Sequence, residues 1–331
     1  MRKVLIILLL ISLCGCKTKD PLLSLGYSQE DIDIIKSYPE SIQELFNLEY
    51  NDKYVSYMHI QGFDINRLDE YMKYDGKMSN DEIVKLVNDG EDIDSILDIR
   101  SDEYYIKSKE DIYLKYKDKY SSIRQLVEAI NTYAYLPNYS NIISTDISKD
   151  YLMLVNKYHG LSQDYEPDDL VDVDPYYGKG KIRSEVYEQY TKMADEAFAL
   201  GYSFRICSAY RSYDYQYGLY NKYLNEDLGG QVSVDTYSAR PGHSEHQTGL
   251  CLDLSDSVYG MDNFGLSDSY KWIKDNCYKY GFIIRYNSEK ENITGYQAEP
   301  WQIRYVGSSE IAKDIIDRDI TFDEYYEYFV K

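Results

Sequence analysis

Two kinds of hydrophobic pattern divide the chain. From Pro21 to about Tyr139, apolar residues recur at three- and four-residue spacing in short blocks, each opened by a side chain that can cap a helix. In "LGYSQEDIDIIKSY", Gly26 and Tyr27 precede Ser28 as N-cap, and Ile32 and Ile35 share a face. The same order returns 36 positions later in "QGFDINRLDEYMKY", with Gly62, Phe63, Asp64 as cap, then Leu68 and Tyr71, which points to a helical repeat. "SNDEIVKLVNDG" is the clearest block. Ser79 and Glu82 have capping-box spacing, Ile83, Leu86 and Val87 form one face, and Gly90 can stop the helix. Nothing in this half reads as a catalytic cluster.

The second half mixes periods. "SEVYEQYTKMADEAFALGY" predicts an amphipathic helix ending near Gly201, and the β-rich run "FRICSAY" follows it. "DYQYGLYNKYL" is helical, "GLCLDL" is a short buried strand, and "SDSYKWIKDNCYKYG" is a helix opened by Ser267 and closed by Gly281. "FIIRY" and "WQIRYVG" read as strands, and "TFDEYYEYF" as a last helix with Thr321 and Glu324 in capping-box positions. Strands joined through helices and long loops, without repeated βαβ units, predict an α+β fold.

The N-terminus adds a compartment. Arg2 and Lys3 precede the apolar run "VLIILLLISL", which is shorter than the ~20 residues a bilayer span needs. A basic start, a short apolar run and small residues before a cut describe a secretory signal. "LCGC" resembles the lipobox of bacterial lipoproteins, which implies lipidation of Cys16 and an extracytoplasmic protein anchored to the membrane. The expected division is a signal over residues 1–15, a tether over 16–20, a helical, repeat-containing region over 21–145, and a catalytic domain over 146–331. The 36 basic and 57 acidic residues leave a formal charge of −21, which argues against nucleic acid as a partner. After processing, Cys207, Cys251 and Cys277 remain, an odd number without CxxC spacing, best read as small apolar side chains. Forty tyrosines against eight phenylalanines carry no functional reading.

Candidate chemistry gathers in "RPGHSEHQTGLCLDL" and "EPWQIRYVG". A neutral imidazole at His246 and a carboxylate at Asp253 suit a divalent metal, and a carboxylate inside "LCLDL" must be compensated to be buried. Glu299 is three residues before Gln302, out of phase for one strand face, but Pro300 could bend the chain so that both aim at one centre. A carboxylate beside a metal site is what metal-assisted hydrolysis needs to take a proton from the attacking water and return it to the leaving amine. His243, three residues from His246, is expected to face solvent rather than reach the ion.

Four stretches, "LVNKYHGLSQDYEPDDLV", "SAYRSYDYQ", "ARPGHSEHQTGLCLDL" and "EPWQIRYVG", resemble in order the motifs of the vancomycin-resistance-type D-alanyl-D-alanine carboxypeptidases, zinc peptidases that trim peptidoglycan stem peptides. The resemblance spans roughly residues 150–318. It implies a small antiparallel sheet flanked by helices, zinc held by His246, Asp253 and position 302, Glu299 as general base, and Arg211 facing the oxyanion. It also implies contacts to substrate from Ser244, Gln216 and Tyr210. At position 302 the family has a histidine. Glutamine is a neutral and poorer donor, and a weakened ligand should lower affinity or activity at least as much as the ~10 to 100-fold of a lost outer partner. Two readings follow: a working D-alanine-releasing carboxypeptidase, or a catalytically impaired, cell-wall peptide-binding lipoprotein.

Overall fold

The computed structural model describes residues 19–331, so the signal, the lipobox and Cys16 lie outside the described residues. Two compact units follow, one ending at Leu97 and the other running from Asp98 to Lys331. The helices continue as far as Asn131, but from Asp98 onward they belong to the unit that carries the strands.

The first unit is a set of short capped helices. Gln29–Ser37 opens with a reciprocal capping box between Ser28 and Asp31, and Asn80–Asp89 opens at Ser79 and ends at Gly90, whose φ of 73° is the left-handed conformation that favours glycine. Ile32, Ile35 and Phe46 are fully buried in one cluster, and Tyr57, Tyr71 and Ile83 in another. A hydrogen-bond clasp marks the helical hairpin. The Tyr71 hydroxyl accepts from the Asp64 N–H (3.3 Å) and donates to Asn88 Oδ1 (2.8 Å), while Asn88 Nδ2 donates to the Gly62 carbonyl (2.8 Å). The second unit repeats it: Tyr113 accepts from Ile106 N–H (3.2 Å) and donates to Asn131 Oδ1 (2.6 Å), and Asn131 Nδ2 donates to the Tyr104 carbonyl (2.9 Å). The stronger repeat therefore begins at Gly62 and Tyr104. Tyr27, in the first copy read from sequence, bonds instead to the Glu49 carbonyl.

The second unit is built on a four-stranded sheet of β1 (Arg205–Ser208), β2 (Cys251–Ser255), β3 (Phe282–Tyr286) and β4 (Glu299–Tyr305), in the order β1-β2-β4-β3 and antiparallel throughout. This is the α+β architecture with a small sheet and flanking helices that the motifs imply. Because side chains alternate across a strand, the register divides the sheet into two unlike faces. Leu252, Ile303 and Ile284 are cross-strand neighbours on one face, with Leu254, Phe282 and Tyr305, and pack against helix Ser184–Ala199 and helix Asp268–Asn276 in the main apolar core. Asp253 stands opposite Gln302, and Cys251 and Ile283 opposite Arg304, on the other face. That face carries the charge.

Two guanidiniums are sealed there. Arg285 Nε donates to Glu245 Oε1 (2.9 Å) and its Nη1 to Asp323 Oδ2 (2.7 Å), and Arg304 Nη1 approaches the same Glu245 oxygen at 2.9 Å. Asp323 also accepts from Asn156 Nδ2 at 2.7 Å, and Arg304 Nη2 donates to the carbonyls of Tyr151 and Met153. The "LVNK" segment is thereby tied to the back of the sheet.

Candidate active site

Asp253 owes its place to a short strand whose every residue from Cys251 to Leu254 is buried. His246 lies on the 3-10 turn Glu245–Thr248 that leads into that strand through Gly249. Its Nδ1 is 2.6 Å from the Ala209 carbonyl, which can only accept, so Nδ1 carries the proton and Nε2 presents its other position to Asp253 Oδ2 at 3.2 Å. A lone pair and a carboxylate that converge in this way need a proton or a cation between them. Asp253 Oδ1 is buried and has no hydrogen-bond partner. Burial pushes the Asp253 carboxyl up, but His246 and Arg211 beside it outweigh burial and hold it below the ordinary range.

Arg211 donates from Nη2 to Asp253 Oδ2 (2.5 Å) and from Nε to Ser208 Oγ (2.9 Å). Its backbone N–H is bonded to the His246 carbonyl (3.1 Å), which fixes the arginine segment to the histidine turn.

Glu299 and Gln302 reach the same cleft by a bulge rather than by the proline alone. Ile284 pairs with Ile303 but Tyr286 with Glu299, so one residue on β3 faces three on β4, and the extra backbone re-aims both side chains. Burial, with Asp253 adding to it, raises the Glu299 carboxyl to about 8, against the lowering pull of Arg211. Carboxyls perturbed in this way cluster at functional sites.

A cleft of about 270 Å³ gathers Arg211, Gln216, Ser244, His246, Asp253, Glu299 and Gln302. Gln216 is buried with its Nε2 on the Ala239 carbonyl, and Ser244 is buried beside the histidine turn. Tyr210 is not among the cleft-lining residues; its hydroxyl donates to Glu166 Oε2 at 3.3 Å. His243 corrects the expectation of a solvent-facing side chain: it is partly buried, with Nδ1 2.7 Å from the Asn156 carbonyl and its ring edge on Tyr139, and it does not line the cleft. Cys207, Cys251 and Cys277 are free thiols. Sequence reading missed Glu245, Tyr286 and Tyr296, which line the cleft, and Lys157 behind it. The available signal was a charge in an apolar strand: Arg285 in "FIIRY" and Arg304 in "WQIRYVG" had to have buried carboxylate partners.

The donors present suit a metal ion only as a weakened set. They comprise one imidazole nitrogen, one carboxylate with a free buried oxygen, and the Gln302 amide standing opposite Asp253. Among the described residues, no three His, Cys, Asp or Glu side chains form a metal cluster.

The fold and this cleft are those of a hydrolase of the carboxypeptidase class. The chain belongs to the VanY family of D-alanyl-D-alanine carboxypeptidases, whose model matches residues 179–308. It is 43% identical over 185 residues to YodJ of Bacillus subtilis (strain 168), a carboxypeptidase by name, covering 53% of this chain and 67% of that protein. The solved LdcB LD-carboxypeptidase is 39% identical with a TM-score of 0.51, covering 57% of this chain and 91% of that one. A mutant of the vancomycin-resistance D,D-pentapeptidase VanY, solved with Zn(II), is 28% identical with a TM-score of 0.47, covering 53% and 98%. The chain spans 57% to 67% of the length of the first three curated relatives it matches.

Proposed function

We propose that this protein is a zinc carboxypeptidase that removes the terminal D-alanine from peptidoglycan stem peptides, outside the cytoplasm and tethered to the membrane by lipid on Cys16. The observation that carries the reading is the convergence of His246 Nε2 on an Asp253 carboxylate with one unpartnered buried oxygen, in the cleft that Glu299 also lines.

His246, Asp253 and Gln302 would hold the ion, which when bound supplies Lewis-acid polarisation of the peptide carbonyl. Glu299 takes the proton of the attacking water and passes it to the leaving amine. Arg211 donates to the oxyanion as it develops; its fixed attachment to Ser208 and Asp253 makes it a preorganised donor. Ser244 and Gln216, both buried in the cleft wall, contact the terminal residue.

Purified protein with added zinc is expected to release D-alanine from a stem pentapeptide. Folded protein that releases none at any zinc concentration overturns the reading. Mass spectrometry of digested peptidoglycan distinguishes loss of the fifth residue from loss of the fourth, the L,D outcome.

Gln302 supports a second reading, a peptide-binding lipoprotein that has lost efficient hydrolysis. The Gln302→His variant separates the two. It should raise zinc affinity ~10 to 100-fold in either case, but it creates activity from nothing only in the impaired protein.

A further inference from the structure

Behind the cleft, Lys157 is 1% exposed, and its Nζ donates to the Asp235 carbonyl. The ammonium stands 3.6 Å from the centroid of the Tyr296 ring and 5.0 Å from that of Tyr139. Tyr139 is shared with a second cation, Arg240, at 4.1 Å, and its hydroxyl is 3.1 Å from that of Tyr296 and accepts from the Arg240 N–H at 3.3 Å. The Asp235 carboxylate is taken up by Arg240 (3.1 and 2.7 Å) and by the Tyr220 hydroxyl (2.6 Å), so Lys157 uses the backbone oxygen and the two ring faces. Gly295 makes room for it. A Cβ there would lie 2.5 Å from Lys157 Cε, so the lysine stem runs against bare backbone, four residues before Glu299.

These contacts join two segments that both reach the cleft. Asp235 begins the wall carrying Tyr237, Ser238 and Ala239, the last of which holds Gln216. Gly295 begins the wall carrying Tyr296 and Glu299. The walls touch again where Gln297 N–H donates to the Thr236 carbonyl (2.8 Å). A desolvated cation is attracted to the π faces beside it, and an ammonium without such partners would not stay buried.

We infer that Lys157 is a positioning residue, a clamp that sets the spacing of the two cleft walls and through Tyr296 the aim of Glu299. Its influence on turnover rests on the carboxypeptidase reading; its influence on the walls does not. Burial holds the Lys157 amine down to about 7.

Two readouts on Lys157→Met, which keeps the length of the stem and removes the charge, test the clamp. Amide hydrogen exchange is expected to quicken ~tenfold or more within residues 235–240 and 295–299 while the amides of β1 to β4 keep their wild-type rates. On a stem peptide, kcat should fall ~tenfold or more with a smaller change in KM, and Lys157→Arg should restore part of it. Exchange unchanged in both segments, or quickened evenly over the whole unit, overturns the inference. If wild-type protein shows no turnover, the carboxypeptidase reading fails and exchange alone decides the clamp. If Lys157→Met does not fold, Tyr296→Leu, which removes the ring under the ammonium together with its hydroxyl contact to Tyr139 and a piece of the cleft lining, is read by hydrogen exchange alone.

Discussion

Glu245 and His246 are neighbours on one 3-10 turn, yet they serve two charged clusters built in opposite ways. Glu245 joins Arg285, Arg304 and Asp323, two guanidiniums against two carboxylates, with side chains 0 to 3% exposed. His246 joins Asp253, Glu299 and Arg211, where two carboxyls share one guanidinium that is 20% exposed at an open cleft. The consequence is visible in two buried acids. Burial pushes both Asp323 and Glu299 up, but Arg285 bonded to Asp323 reverses the effect and holds it below the ordinary range, whereas Glu299, without such a partner, rises to about 8. Balanced charge keeps one cluster fixed. A deficit of positive charge leaves the other ready to take a proton or a cation.

The comparison breaks most sharply at Glu299. Glu299→Gln should lower peptide hydrolysis by ~10² to 10⁴-fold with the circular dichroism spectrum unchanged, and a variant keeping half of wild-type turnover would remove Glu299 from the chemistry. In the sealed cluster the loss should fall on stability instead. Arg285→Met leaves Glu245 and Asp323 buried without their shared cation, at ~3 to 5 kcal/mol in urea unfolding; a loss well under that range would mean the cluster contributes little to holding the sheet. The smallest effect sharpens the contrast through pH. Between pH 4.5, the ordinary carboxyl value, and about 8, folded metal-free protein keeps a proton on Glu299 that unfolded chain has lost, so stability falls as pH rises through that window. Glu299→Gln should flatten this slope, and equal slopes for the two proteins would refute it.

Much of this molecule is written locally. Capping signals at Ser28, Ser79, Ser267 and Thr321 found their helices because a cap is a contact over three residues. The four strands were legible as apolar runs, and the ordered motifs brought seven of the eight named side chains, all but Tyr210, into one cleft. What sequence could not give was geometry made between distant segments. The phase of Glu299 against Gln302 looked wrong because a bulge, which depends on register with β3, restores it. His243 was misjudged because its partner, the Asn156 carbonyl, is far away in sequence. The ion cluster spans Glu245 to Asp323 and leaves only one trace, arginines where a strand should be apolar.

The tyrosine–asparagine clasp of the helical hairpins closes every bond it opens within a single hairpin. A cassette of that kind can be duplicated without orphaning an amide next door, so extra copies could be inserted ahead of the last hairpin, whose Tyr104 stacks on Tyr328 and whose Glu128 meets Lys290.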